Sequence, residues 1–148
     1  MRVVLDTNVI VSGLIHERGT PAFVVDAVVK DESIVLLWDE RMVEEYADVL
    51  ARPRFGLDPA NVGALLDRVR HLGERVAALR YDGAVADDDD RPFLEVALTG
   101  RADFLVTGNR KHFPAGHDVP QWLRIVSPRE FMVVLFVRSI VRAIFPWV

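Results

Sequence analysis

Short apolar runs that alternate with helical patterns constrain the fold of this chain most strongly. Each run spans three to five residues and is mostly apolar, as expected of strands that are covered on both faces of a sheet. The segments between them repeat apolar residues at helical spacing. This alternation predicts an α/β fold with a parallel sheet. The five predicted strands are Val3–Leu5, Ile34–Trp38, Val76–Leu79, Phe104–Thr107 and Arg124–Val126.

Helix starts are marked by small polar residues, several of which precede a proline. Such residues satisfy the free N–H groups of a first turn, and proline is well tolerated as the first helical residue. The predicted helices after Asp39 and Asp58 extend to about Ala51 and Leu72. The predicted N-caps are Thr20, Asp39, Asp58, Asp90 and Ser127.

Composition limits the class of protein. The chain has 148 residues, of which 51% are hydrophobic and 27% charged, so residues 1–148 are expected to form one domain with a sizeable core. It has no cysteine, which excludes disulfides, thiol catalysis and cysteine-ligated metals. A charge is reached by residue 6, too early for a signal peptide, and we expect a cytoplasmic protein. The net charge of −4 argues neither for nor against nucleic acid.

Asp6 directly follows the first predicted strand. In an open parallel sheet, ligands bind beyond the carboxyl ends of the strands, so a carboxylate there can serve catalysis or hold a metal. A turn or capping role is equally compatible with this position. Thr7 and Asn8 are predicted to continue the turn and to donate hydrogen bonds to a ligand or to Asp6.

Helical geometry selects one acid from the predicted helix after Asp39. At about 100° per residue, the apolar residues of this helix form one stripe, and Glu44 and Asp48 lie far from it. Glu45 lies at the border of the stripe, where a side chain can lean along the sheet edge. A solvated position on the flank of the helix is the alternative.

Asp87–Asp90 is a run of four acids before a predicted helix. A solvated loop and an N-cap explain such a run, but a divalent cation would also relieve the repulsion among the carboxylates. Asp90, held by the helix, is the best ligand candidate. The histidines show no zinc-ligand spacing, so a zinc site is not expected. Dinucleotide, P-loop and serine-hydrolase motifs are absent from the sequence.

The fourth predicted strand leads into Thr107-Gly108-Asn109, a second strand end with polar side chains. Asn109 offers a neutral oxygen ligand or a hydrogen bond to substrate, although an ordinary turn has the same composition. Arg110 and Lys111 follow and would suit a phosphodiester, or a solvated surface turn.

Four motifs in this order resemble the PIN domain, a nuclease family. They are Val-Val-Leu-Asp6-Thr-Asn, Glu45-Tyr-x-x-Val-Leu-x-Arg-Pro, Asp90-x-x-Phe-Leu-x-x-Ala and Phe-Leu-Val-Thr107-Gly-Asn109. The resemblance extends over residues 1–131 and is greatest to VapC-type toxins of toxin–antitoxin systems. It implies a three-layer α/β fold whose five-stranded parallel sheet, in the order 3-2-1-4-5, is flanked by helices.

The resemblance also implies Mg²⁺- or Mn²⁺-dependent cleavage of single-stranded RNA. Its acidic positions map to Asp6, Glu45 and Asp90 as metal ligands and catalytic residues. The fourth residue of the catalytic set is Asn109 here instead of an acid, a departure that weakens metal binding on that side. Substrate binding is assigned to the neighbouring residues Asn8, Thr107, Arg110 and Lys111. An antitoxin protein is the implied partner.

Two other functions remain open at this stage. The protein could be a PIN-fold module that binds RNA or an antitoxin with weak or no catalysis, which Asn109 favours and the three retained acids oppose. It could also be a phosphatase of the haloacid dehalogenase type, although that chemistry requires Asp-x-Asp where this chain has Asp6-Thr-Asn8.

The C-terminal segment 128–148 is predicted to form an apolar helix. Arg138 and Arg142 interrupt the apolar run, so a membrane span is not expected. These two arginines are four residues apart and therefore share one helical face. We expect Phe131–Leu135 to pack on the sheet. Val137–Val148 is expected to bury against another copy of the chain or an antitoxin, with a homodimer favoured over the antitoxin and over binding at a membrane surface.

Overall fold

A five-stranded parallel sheet runs through the centre of the protein in a computed structural model that describes residues 1–147. The strand order is β3-β2-β1-β4-β5, which confirms the expected α/β architecture. The central strands β1 and β4 carry the most deeply buried residues of the sheet. The strands are β1 (Arg2–Leu5), β2 (Val35–Trp38), β3 (Glu74–Arg75), β4 (Phe104–Val106) and β5 (Arg124–Val126).

Six α-helices connect and cover the strands. Short 3₁₀ turns occur at Pro53–Phe55, Asp88–Asp90, Arg110–His112 and Gly116–Asp118. Among residues 1–147, no helix combines the length and the apolar character needed to cross a membrane. The helices are α1 (Thr7–Ile15), α2 (Thr20–Lys30), α3 (Glu40–Leu50), α4 (Pro59–Leu72), α5 (Arg91–Thr99) and α6 (Pro128–Ile144).

Three of the predicted helix caps are confirmed by hydrogen bonds. The side chain of Asp39 accepts from the backbone N of Met42 at 3.0 Å, and that of Asp58 accepts from Ala60 at 2.9 Å. Ser127 forms a reciprocal capping box with Glu130. These bonds satisfy N–H groups that the first turn leaves without a helical partner.

Two capping predictions were wrong in detail. Gly19 occupies the N-cap of α2, and Thr20 is already helical. Asp90 does stand at the N-cap of α5, but its side chain makes no capping hydrogen bond. It contacts His112 instead, as described below.

The predicted position of the third strand was also wrong. The strand is Glu74–Arg75 rather than Val76–Leu79, and it pairs with Leu37 and Trp38 of β2. Val76 is buried and its N–H donates to the Trp38 carbonyl at 2.8 Å, but the chain then leaves the sheet. Pairing with the neighbouring strand, not the apolar composition of the segment, determines where this edge strand lies.

Helix α1 replaces the turn that was predicted at Thr7 and Asn8. Its residues are apolar on nearly every side, and Val9, Ile10 and Val11 are all buried. A helix buried on all sides lacks the periodic pattern by which amphipathic helices are recognised in sequence. Asp6 is therefore the single residue that joins the end of β1 to the start of α1.

Candidate acidic active site

Asp6 is a buried carboxylate at the carboxyl end of β1. Only 3% of the residue is exposed, and its backbone N–H donates to the Val106 carbonyl of the neighbouring strand at 2.9 Å. Its Oδ2 accepts hydrogen bonds from Asn8 Nδ2 at 2.8 Å and from Thr107 Oγ1 at 2.6 Å. The carboxylate is therefore held in one orientation by side chains from both central strand ends.

Further hydrogen bonds tie the loop after β4 to the start of α1 and brace that loop internally. The backbone N–H of Gly108 donates to Asn8 Oδ1 at 2.9 Å, and that of Asn109 donates to Thr107 Oγ1 at 2.9 Å. A Cβ atom at Gly108 would lie 3.2 Å from Asn8 Oδ1, which is tighter than an ordinary contact. Asn8 and Thr107, predicted to bind substrate, thus orient Asp6 in this structure.

Glu45 reaches the same region from α3. The apolar stripe of the helix is buried, Glu44 and Asp48 are exposed, and Glu45 is half-buried, as helical geometry predicted. Its Oε1 accepts from Thr7 Oγ1 at 2.5 Å. The next residue, Tyr46, is buried and its hydroxyl donates to the Leu5 carbonyl. These bonds fix α3 against the end of β1.

Asp90 is half-buried at the start of α5, and its Oδ2 lies 2.9 Å from His112 Nδ1. Asp87 completes a group in which ligand atoms of Asp87, Asp90 and His112 lie within 4.8 Å of one another, a spacing compatible with a metal ion. Sequence reasoning missed His112 and Asp87 as members of this group. Their proximity arises from folding, because the 3₁₀ turn after β4 brings His112 to Asp90, and sequence spacing does not reveal it.

Repulsion acts among the three predicted acids, although within residues 1–147 only Asp87, Asp90 and His112 have ligand atoms that all lie within 4.8 Å of one another. Burial raises the pKa of Asp6 to about 6. The hydrogen bond from Thr107 lowers this pKa, whereas the negative charge of Asp90 raises it. Burial also raises the pKa of Glu45, with further repulsion from Asp6 and Asp90. The pKa of Asp90 is raised by burial and by Asp87, although His112 opposes the shift. Carboxylates that repel one another in a partly buried site favour a cation.

The basic residues after β4 are less directly connected to the cluster. Asn109, Arg110 and Lys111 are exposed, and the guanidinium of Arg110 lies 2.9 Å from Glu130 of α6. Asn109 contacts the site through its backbone bond to Thr107. The structure thus brings Asp6, Asn8 and Thr107 into direct contact, and it leaves Arg110 and Lys111 at the rim.

An ion-pair network between the half-exposed Arg41 and two buried carboxylates stabilises the positions of α3 and α5. Arg41 on α3 binds Glu95 Oε2 on α5 at 2.7 Å and Asp39 Oδ2 at 2.6 Å. Glu95 is 3% exposed and also accepts from the backbone N–H of Tyr81 at 2.9 Å. The network cross-links the helix that carries Glu45 to the helix that begins at Asp90.

Comparisons with known proteins identify the family of this chain and agree with its fold. A family model described as "PIN domain" matches residues 2–111. An uncharacterized protein of Methanocaldococcus jannaschii is 25% identical over 142 residues, which cover 89% of this chain and 90% of the relative. The solved structure of VapBC2 from Rickettsia felis, bound to a DNA fragment from its promoter, contains a chain with a similar fold. That likeness has a TM-score of 0.51 and 14% identity, and covers 84% of this chain and 98% of the other.

Proposed function

The chain belongs to the PIN domain family, and from this premise we propose that it is a Mg²⁺- or Mn²⁺-dependent endoribonuclease that cleaves single-stranded RNA. PIN domains are generally nucleases that use divalent metal ions. The observation that carries the proposal is the buried Asp6 carboxylate at the carboxyl end of a central strand, whose pKa burial and the Asp90 charge raise to about 6; Asp6 and Asp90 in turn raise the pKa of Glu45.

The donor set fits a hard divalent cation. Carboxylate oxygens are the ligands that Mg²⁺ and Mn²⁺ prefer, and one or two of them with water and phosphate oxygens are sufficient for Mg²⁺. We assign Asp6, Glu45 and Asp90 as the residues that hold the ion. Asp87 and His112 adjoin Asp90 and form a second possible set of ligands that includes the same carboxylate. When bound, the ion supplies positive charge against the phosphodiester and acidifies the attacking water.

The remaining residues around the site orient the acidic side chains and attract the substrate. Asn8 and Thr107 hold the Asp6 carboxylate through its Oδ2 atom, and Thr7 holds Glu45. Burial of Asp6 keeps bulk water from screening its charge. Arg110 and Lys111 stand at the exposed rim, where cationic side chains attract the phosphates of an incoming strand. In this assignment no side chain serves as a nucleophile.

We further propose that the protein is the toxin of a toxin–antitoxin pair, with an antitoxin protein as partner. The fold likeness to a chain of the VapBC2 structure supports this assignment.

An assay on 5′-labelled single-stranded RNA tests the activity. The wild-type protein should cleave with Mg²⁺ or Mn²⁺ and should lose activity in EDTA. Asp6→Asn should reduce the rate by at least about 100-fold, since it removes charge at the site with little change in volume. Asp67→Asn is the matched control, because Asp67 is exposed on α4. Full activity in EDTA, or equal rates for wild type and Asp6→Asn, would contradict the proposal. RNA binding without cleavage would instead support a binding module.

A further inference from the structure

His112 stands beside the acidic site, although it belongs to none of the family motifs. Its Nδ1 lies 2.9 Å from Asp90 Oδ2, and the side chains of His112 and Asp90 are 35% and 15% exposed. Asp90 occupies the N-cap of α5, yet its carboxylate makes no capping hydrogen bond. An Asp at this position ordinarily accepts from the N–H groups of the first turn. The carboxylate is therefore turned toward the imidazole instead of toward its own helix.

Backbone hydrogen bonds hold His112 and the acids next to each other. The N–H of Ala86 donates to the His112 carbonyl at 3.2 Å and ties the acidic segment to the 3₁₀ turn after β4. Within the acidic segment, the N–H of Asp90 donates to the Asp87 carbonyl at 3.1 Å. Within the turn, the N–H of His112 donates to the Asn109 carbonyl at 2.9 Å. The main chain thus builds this juxtaposition together with the side chains.

The group offers two oxygen ligands and one nitrogen ligand at a spacing that suits one cation. Ligand atoms of Asp87, Asp90 and His112 all lie within 4.8 Å of one another. Two ligands that stand at right angles, each about 2.1 Å from an ion, are about 3.0 Å apart. The distance between Asp90 Oδ2 and His112 Nδ1 is 2.9 Å. These two atoms can therefore share a proton without an ion and bind one ion with little movement.

We propose that His112 is a ligand of the ion held by Asp90, and that this nitrogen ligand makes the site favour Mn²⁺ over Mg²⁺. The assignment rests on the proposed function, because the family implies the divalent ion. Mg²⁺ takes oxygen ligands and keeps several waters, whereas imidazole nitrogen suits first-row transition metals. Among these metals, Mn²⁺ also accepts the carboxylate and water ligands that form the rest of the site.

A role for His112 in orientation alone would have a different signature. If Nδ1–H only donated to Asp90, its loss would weaken the binding of Mg²⁺ and Mn²⁺ by similar factors, because both ions use that carboxylate. Loss of a nitrogen ligand instead weakens the binding of Mn²⁺ selectively. The ratio of the two dissociation constants therefore separates ligation from orientation, and a partly unfolded sample leaves this ratio unchanged.

Isothermal titration calorimetry on the full chain without RNA, with MnCl₂ and MgCl₂ in turn, measures this ratio. In His112→Asn the amide takes the place of Nδ1 and still donates a hydrogen bond. This variant should bind Mn²⁺ at least about tenfold more weakly, and Mg²⁺ less than about threefold more weakly. His71→Asn is the matched control and should change neither constant, since His71 is exposed on α4. Equal factors for the two ions in His112→Asn, or wild type that binds Mg²⁺ more tightly than Mn²⁺, would overturn the proposal.

Pulsed EPR detects the bond between nitrogen and metal directly. With ¹⁵N-labelled histidine, Mn²⁺-loaded wild type should show a hyperfine coupling to a directly bound nitrogen. His112→Asn should lack this coupling and His71→Asn should keep it. Wild type without the coupling would contradict ligation by His112, even if the protein cleaves RNA as proposed. Conversely, a protein that shows the coupling but leaves RNA intact would refute the proposed activity and support this ligand.

Discussion

Replacing Asp6 by Asn should make the metal-free protein more stable at neutral pH while abolishing its activity. Folding raises the pKa of this carboxyl from 3.8 to about 6, mainly because the charged form loses water on burial. Asn is neutral and nearly isosteric, and its carbonyl oxygen can accept the bonds that Thr107 and Asn8 now donate to Oδ2. The substitution thus removes the cost of the charge while these hydrogen bonds remain available.

The size of the effect follows from the pKa. A rise from 3.8 to about 6 corresponds to about 3 kcal/mol between the charged and neutral forms in the folded protein. Between these two pH values the unfolded chain has lost the Asp6 proton and the folded protein still holds it. Ionisation therefore favours the unfolded state, and this contribution to stability falls as pH rises through that window. Below pH 3.8 both states are protonated and the difference disappears.

Urea unfolding followed by circular dichroism measures the prediction. In EDTA at pH 7.5, Asp6→Asn should raise the free energy of unfolding by up to about 3 kcal/mol over wild type. At pH 4 the gain should fall to about 0.6 kcal/mol, and Asp67→Asn should show no such dependence on pH. Saturating Mn²⁺ should stabilise wild type and leave Asp6→Asn unchanged. Equal or lower stability of Asp6→Asn at pH 7.5 would refute this account of the site.

Three further outcomes are expected. Asn109→Asp should lower the Mn²⁺ concentration that gives half-maximal RNA cleavage, because it supplies the fourth acid of the family pattern. An unchanged or higher concentration would contradict this prediction. Glu45→Gln should weaken Mn²⁺ binding measured by calorimetry, and equal affinity would remove Glu45 from the ligands. Arg41→Met should cost about 1–3 kcal/mol in urea unfolding, since it leaves the buried Glu95 without its cation, although water already screens the half-exposed guanidinium. Arg52→Met should cost less than about 1 kcal/mol, because its partner Asp48 is exposed whereas Glu95 is buried.

The parts of the site that follow a simple local rule could be predicted from the sequence. The apolar run before Asp6 placed this carboxylate at the end of a strand, and helical angles separated Glu45 from the solvated Glu44. Both arguments need only the residues of one element. The sheet order came from the resemblance to a family, since nothing local to a strand specifies its neighbours.

The parts that depend on contacts between distant segments could not be predicted in this way. His112 lies beside Asp90 because the turn after β4 packs against the start of α5, and no sequence spacing records that contact. The position of β3 is set by its pairing with Leu37 and Trp38. Helix α1 escaped recognition because it is apolar around most of its circumference, which weakens the alternation between polar and apolar residues.

The acids of the site are all carried by regular structure: Asp6 follows a central strand, Glu45 lies within α3, and Asp90 immediately precedes α5. Their spacing is thus set by the packing of the core, and closing the site around a ligand would require the sheet and helices themselves to shift. In the proposed reaction, most of the conformational adjustment would therefore fall to the RNA. A single strand can bend its backbone into a fixed group of carboxylates at little cost, whereas a duplex must first be distorted. Rigidity of the scaffold would in this way contribute to selection between single-stranded and double-stranded substrates.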